Sequence, residues 1–216
     1  MTTHAPLVIE YVLDGPQRGY HFTTPTHMWR EDVIKAVWRG ALPRGQGWGD
    51  FTGAQALKCF PLPDGNVAVC RTAVTDHADE SGRKGIRRTE IDILSVNAYR
   101  VDLTRRYDAL TPGLKTDAEF EIAHWGRLRT LQRLNRMGGV APRLILTHPF
   151  STAADWRLME SLLLRLAVNP PDALRRWGLF SFTTLALTHH DEARVVAVPA
   201  GRLNGDTRDA LVVTVG

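Results

Sequence analysis

The sequence predicts an α+β fold: a mostly antiparallel sheet, two main helices and returning C-terminal strands. Three observations carry that expectation. Runs rich in Val and Ile, separated by Gly, Pro and Asp turns, fill the first hundred residues. Two later stretches, residues 116–137 and 152–168, repeat apolar side chains at helical spacing. Short apolar runs return after the second of them. Strands that flank a helical block, without regular strand–helix alternation, belong to the α+β class.

Residues 6–13 (PLVIEYVL) read as a strand. Residues 14–19 are turn chemistry, and 20–23 return as the hairpin partner. Glu31 and Asp32 open a short helix, where carboxylates complement the helix dipole. Val33, Ile34, Val37 and Trp38 form its apolar face, and Gly40 is its stop. Residues 44–51 are a glycine-rich loop carrying Trp48, without the GK[ST] element of a phosphate-binding loop. Residues 54–61 form a strand, 62–65 (LPDG) a tight turn and 66–75 the return strand. A polar loop follows, in which charge switches from Asp76, Asp79 and Glu80 to Arg83 and Lys84.

Residues 89–96 then form a strand, with Ile91 and Ile93 on one side and Glu90, Asp92 and Leu94 on the other. Residues 99–103 extend the sheet, and 104–115 are a connector. Thr116 and Glu119 make a capping box for a helix reaching Met137. Trp125, Leu128, Leu131 and Leu134 form its apolar stripe, and its arginines read as a solvated face. Residues 143–147 are a short strand. Thr152 and Asp155 start the second main helix, with Trp156, Met159, Leu162, Leu163 and Leu166 as its stripe. Asn169-Pro170-Pro171 ends it, and 172–177 add a helical turn or two. Residues 179–187 and 193–199 are expected to pair as a hairpin around 188–192, and 210–215 form the last strand. The expected organisation is a β-rich region, 1–103, and a helix-rich region, 104–216, packed as one globular unit.

The 216 residues are 44% hydrophobic and 23% charged, which suits one large domain or two small ones. Net charge is +4, too small to argue by itself for nucleic acid. Lysine stands only at Lys35, Lys58, Lys84 and Lys115, so arginine supplies most of the 27 basic side chains. No apolar run approaches the ~20 residues that cross a bilayer. Residues 158–168 come nearest, and Glu160 and Arg165 interrupt them. The first residues lack the basic, apolar and cleavage regions of a secretory signal, so a cytoplasmic protein is expected. Cys59 and Cys70 read as free, buried thiols. A bridge between them would need adjacent strands in the right register.

Candidate chemistry is sparse. His189-His190-Asp191-Glu192 reads as a polar turn, because neighbours on a hairpin point to opposite faces and zinc needs three or four convergent ligands. His77 with Asp76, Asp79 and Glu80 reads as a charged loop. Cys70, between Val69 and Arg71 in a strand, reads as buried and inert rather than as a nucleophile served by His77. GxSxG, HExxH and EF-hand patterns are missing. No catalytic, cofactor-binding or metal-binding residue is assigned. The positive signal is electrostatic. Arg83, Lys84, Arg87 and Arg88 form one basic knot, with Arg71 near it in sequence. These five and Trp48 are the candidate partner-binding residues, since Arg and Trp anchor interfaces and guanidinium groups grip acids bidentately.

Three pieces of the first hundred residues resemble the N-terminal domain of the bacterial GTPase-associated proteins of conflict and signalling systems. Residues 7–24 with Asp32-Val33-Ile34 are similar to that family's opening strand, G-[YF]-x-[FV] return strand and following helix. Residues 62–75 look like its hairpin with an arginine–threonine pair, here Arg71-Thr72. Asp79, Ser81-Gly82-Arg83 and Gly85 resemble its D-x-S-G-R-x-G loop. The family commonly has histidines after that loop, where this chain has Arg87, Arg88, Thr89 and Glu90. The resemblance implies a non-catalytic adaptor in a GTPase-linked defence or signalling complex, its partner a small GTPase or another protein of the system. The alternatives are an arginine-rich nucleic-acid-binding subunit of a ribonucleoprotein defence complex, and a cysteine- or metal-dependent hydrolase.

Overall fold

Nine strands hydrogen-bond into one sheet in the order β2-β1-β5-β4-β3-β7-β8-β6-β9. They come from a computed structural model that describes residues 5–12, 18–78, 82, 84–110, 143–148, 153–170, 172–175, 177–188, 191–203, 207 and 210–215. The strands are β1 (Leu7–Val12), β2 (Gly19–Phe22), β3 (Gln55–Pro61), β4 (Val67–Val74), β5 (Arg87–Leu94), β6 (Arg143–His148), β7 (Phe182–Thr183), β8 (Val195–Pro199) and β9 (Ala210–Thr214). Helices α1 (Glu31–Gly40), α2 (Val96–Leu110) and α3 (Ala153–Val168) complete an α+β fold. The expected helix over 116–137 lies outside the described residues. No described helix is long and apolar enough to cross a membrane.

The N-terminal strands pair antiparallel, with β3–β4 joined through the 62–65 turn as the sequence expects. The last strands behave differently. β6 lies parallel to both β8 and β9, and β7 parallel to β8. Antiparallel pairing of Lys58–Cys59 in β3 with Phe182–Thr183 in β7 welds the two systems into one sheet.

Both faces of the sheet are covered. Val33 and Val37 of α1 pack with Leu7, Ile9, Ala68, Cys70 and Ile91. Tyr99 and Leu103 of α2, and Met159, Leu162, Leu163 and Leu166 of α3, pack with Cys59, Val69, Leu144 and Leu146. Alternation along β3 and β4 therefore sends the two cysteines to opposite faces. Cys59 pairs in register with Val69, and Cys70 with Lys58. Both are free and buried. A disulfide between them would have to pass through the sheet.

Three expectations need correction. Residues 99–103 do not extend the sheet, and 104–110 are not connector, because α2 runs through both. Val96, Tyr99, Leu103, Tyr107 and Leu110 recur every three or four residues and all join the main core. Ser95 starts this helix, its Oγ accepting from the Ala98 backbone N–H at 3.4 Å. Second, 179–187 and 193–199 are not a hairpin, since β7 and β8 are parallel. Asp191, which lies between them in sequence, is completely buried. Its carboxylate accepts from Lys58 Nζ at 2.9 and 3.0 Å, from the Arg44 N–H at 3.2 Å and from the Ala193 N–H at 3.1 Å. Third, Trp38 does not share the buried face of α1. It is 44% exposed and leans on Phe22, ring centroids 5.4 Å apart.

Candidate functional site

β5 begins at Arg87, two residues earlier than the sequence suggests, and that offset divides the basic knot. Consecutive strand residues point to opposite faces. Arg87 turns toward the glycine-rich loop and Arg88 toward the other face. Among the six candidates, Trp48, Lys84 and Arg87 line one cleft, while Arg71 and Arg88 line another. Arg83 lies outside the described residues.

The first cleft, ≈ 530 Å³, is walled by Tyr11 and Tyr20 on β1 and β2, by residues 45–48 of the glycine loop, and by residues 84–87. Register explains the tyrosines: Tyr11 pairs with Tyr20 across the β1–β2 hairpin. Their rings meet edge to face at 5.2 Å. Arg87 is clamped between aromatics, its Cζ 5.2 Å from the Tyr20 centroid and 5.1 Å from that of Trp48. Its backbone N–H and Nε donate to Tyr20 Oη at 3.1 and 3.3 Å, and Nη1 donates to the Pro43 carbonyl. Arg87 thus fastens the stem of the basic segment to the loop.

Trp48 is 4% exposed and donates from Nε1 to the Gly45 carbonyl at 3.1 Å. It is a wall of the cleft, not a protruding anchor. The loop is fixed by close backbone approach. Gly85 has φ +82°, and a Cβ there would stand 2.3 Å from Gly49 N. Arg202 ties the far side of the loop with a 2.7 Å bond to Asp50. Lys84 is exposed on this rigid frame and makes no ion pair with a described residue.

The second cleft, ≈ 250 Å³, opens where the sheet meets α2 and α3. Arg71 there bonds Asp92 at 2.7 Å. Arg88 bonds Glu90 at 2.6 Å and Glu10 at 2.7 Å, and hydrogen bonding to Glu90 raises its pKa further above the arginine range. Arg106 bonds Asp102 at 2.7 Å. These guanidinium groups already have acids of their own chain. Sequence reasoning missed Glu160, which reaches this cleft from α3. Burial raises its carboxyl pKa, against the pull of Arg106 and Arg157.

The groups with nucleophilic or ligating chemistry sit elsewhere. Burial pushes the Cys59 thiol well up, and pushes Cys70 up to about 12 although Lys58 pulls the other way. Burial thus disfavours the thiolate form of both. No cluster of three His, Cys, Asp or Glu side chains occurs among the described residues; His189 and His190 lie outside them. Asp191, expected in an exposed polar turn, is instead the buried partner of Lys58.

Comparisons with protein-family models, with curated proteins and with solved structures find no match to this chain.

Proposed function

We propose that this chain is a non-catalytic interaction module that docks a protein partner at the cleft of Tyr11, Tyr20 and Lys84, as an adaptor in a bacterial GTPase-linked defence or signalling assembly. One observation carries the docking part. Arg87, gripped between Trp48 and Tyr20, holds an exposed lysine beside two tyrosines on a backbone locked by Gly85. A recess of aromatic rings and one cation without an ion pair among the described residues has the make-up of an interface hot spot, and a backbone held by close packing lowers the entropy cost of binding. The partner class rests on the resemblance of the first hundred residues. Lys84 would meet an acidic group on that partner.

The test is co-purification with a small GTPase encoded beside this chain, loaded with GDP or with a non-hydrolysable GTP analogue. Co-elution that differs between the two loaded forms is expected. Separate elution in both states would overturn the assignment. The nucleic-acid alternative loses ground because Arg71 and Arg88 already face carboxylates at 2.6–2.7 Å. Tight, steeply salt-dependent binding of short RNA would restore it.

A further inference from the structure

We propose that the cleft between the sheet and helices α2 and α3 binds a cation, a primary ammonium or guanidinium on an aliphatic chain, against the Glu160 carboxylate. The lining decides the sign. Arg71, Arg88 and Arg106 each hold an ion pair of 2.6–2.7 Å with Asp92, with Glu10 and Glu90, or with Asp102. An incoming anion therefore meets guanidinium groups whose charge is already answered. Glu160 has no ion pair with a described residue, only longer-range attraction from Arg106 on α2 and Arg157 on α3. Arg157 is exposed and does not line the cleft. The remaining charge facing Glu160 from the sheet is Arg71, Arg88 and Glu90. Counted with these partners, three guanidinium groups stand against five carboxylates, and Glu160 is the one among the five without a described arginine on it.

That charge is held at a cost, because burial outweighs both arginines. A cation seated on Glu160 removes the cost, and the remaining space, ≈ 250 Å³, fits one side-chain-sized group rather than a nucleotide. Gln55 and Glu90 on the sheet supply further acceptors for its N–H groups. The cation can come from a free amine or from a Lys or Arg of a partner protein, and the two sources share this chemistry. The site is distinct from the Lys84 cleft and does not rest on the adaptor reading.

The experiment is calorimetric titration of the whole chain with agmatine, with cadaverine and with a short peptide carrying Arg and Lys. Binding of at least one probe is expected, with proton release as Glu160 ionises. Affinity should tighten as pH rises from the ordinary carboxylate range. Glu160→Gln should weaken binding about tenfold or more, and Lys84→Glu should leave it unchanged. Agmatine or cadaverine binding assigns a free amine; binding of the peptide alone assigns a partner's side chain.

Folding of the variant is checked by its own linkage. The folded carboxyl keeps its proton to higher pH than the unfolded one. Stability of the natural chain therefore falls as pH rises from the ordinary carboxylate range through the folded value. Glu160→Gln escapes that fall and should melt no lower at neutral pH. Failure of every probe to bind, or equal binding by Glu160→Gln, overturns the proposal.

Discussion

Asp191 shows how much one side chain can dictate. It is the sole described carboxylate bonded to Lys58, and the two are 0% and 2% exposed. Stripping water from both charges costs several kcal/mol, returned only when every lone pair and proton finds a partner. Two backbone N–H groups and a lysine supply four donor contacts to the Asp191 carboxylate. Asp191→Ala leaves a lysine charge stranded in the core, and urea denaturation should show a loss of about 3–5 kcal/mol. Adding Lys58→Met should recover a good part of it, since a matched apolar pair has no charge to desolvate. A loss in the single variant typical of a surface residue would contradict the pairing. Nothing in the local sequence marks Asp191 as internal. Its neighbours His189, His190 and Glu192 all argue for solvent, and the lysine that captures it is 133 residues away.

Elements differ in how openly the chain announces them. The β3–β4 hairpin was legible because apolar runs flank a four-residue turn whose Gly65 takes φ +83°. Helix α1 was legible from its acidic first turn and its Val33–Val37 spacing. Helix α2 is hidden locally, because Tyr99 to Leu103 contains β-formers and the helical period shows only over the longer stretch to Leu110. Tertiary burial decides this segment: Tyr99 and Leu103 are 2% and 1% exposed under the sheet. Leu103→Ala should cost about 2–5 kcal/mol by chemical denaturation. Exposed Val101→Ala, on the same helix at 60% exposure, should stay within about 0.5 kcal/mol of the natural chain. Similar costs for the two would place the helix face wrongly. The parallel order of β7, β8, β6 and β9 was not legible at all. Direction of pairing depends on the paths of long connections, which short apolar runs do not encode.

Across the whole molecule, one sheet distributes the chain's cations into separate jobs. The candidate residues were found as types, but their grouping was not. A loop reading placed Arg87 and Arg88 together, and the two-residue period of a strand parts them. Arg87 became a strut between Tyr20 and Trp48, Arg88 a member of an ion-pair lattice with Glu10 and Glu90, and Lys84 the exposed charge. The proposed partner contact therefore rests on Lys84 and the tyrosines. The most direct measurement is the dissociation constant of the proposed complex with a small GTPase, for the natural chain, Lys84→Glu and Arg88→Glu. The adaptor account predicts about tenfold or greater weakening for Lys84→Glu and a dissociation constant within about twofold of natural for Arg88→Glu. Equal affinity in Lys84→Glu, or a larger loss in Arg88→Glu, would contradict it.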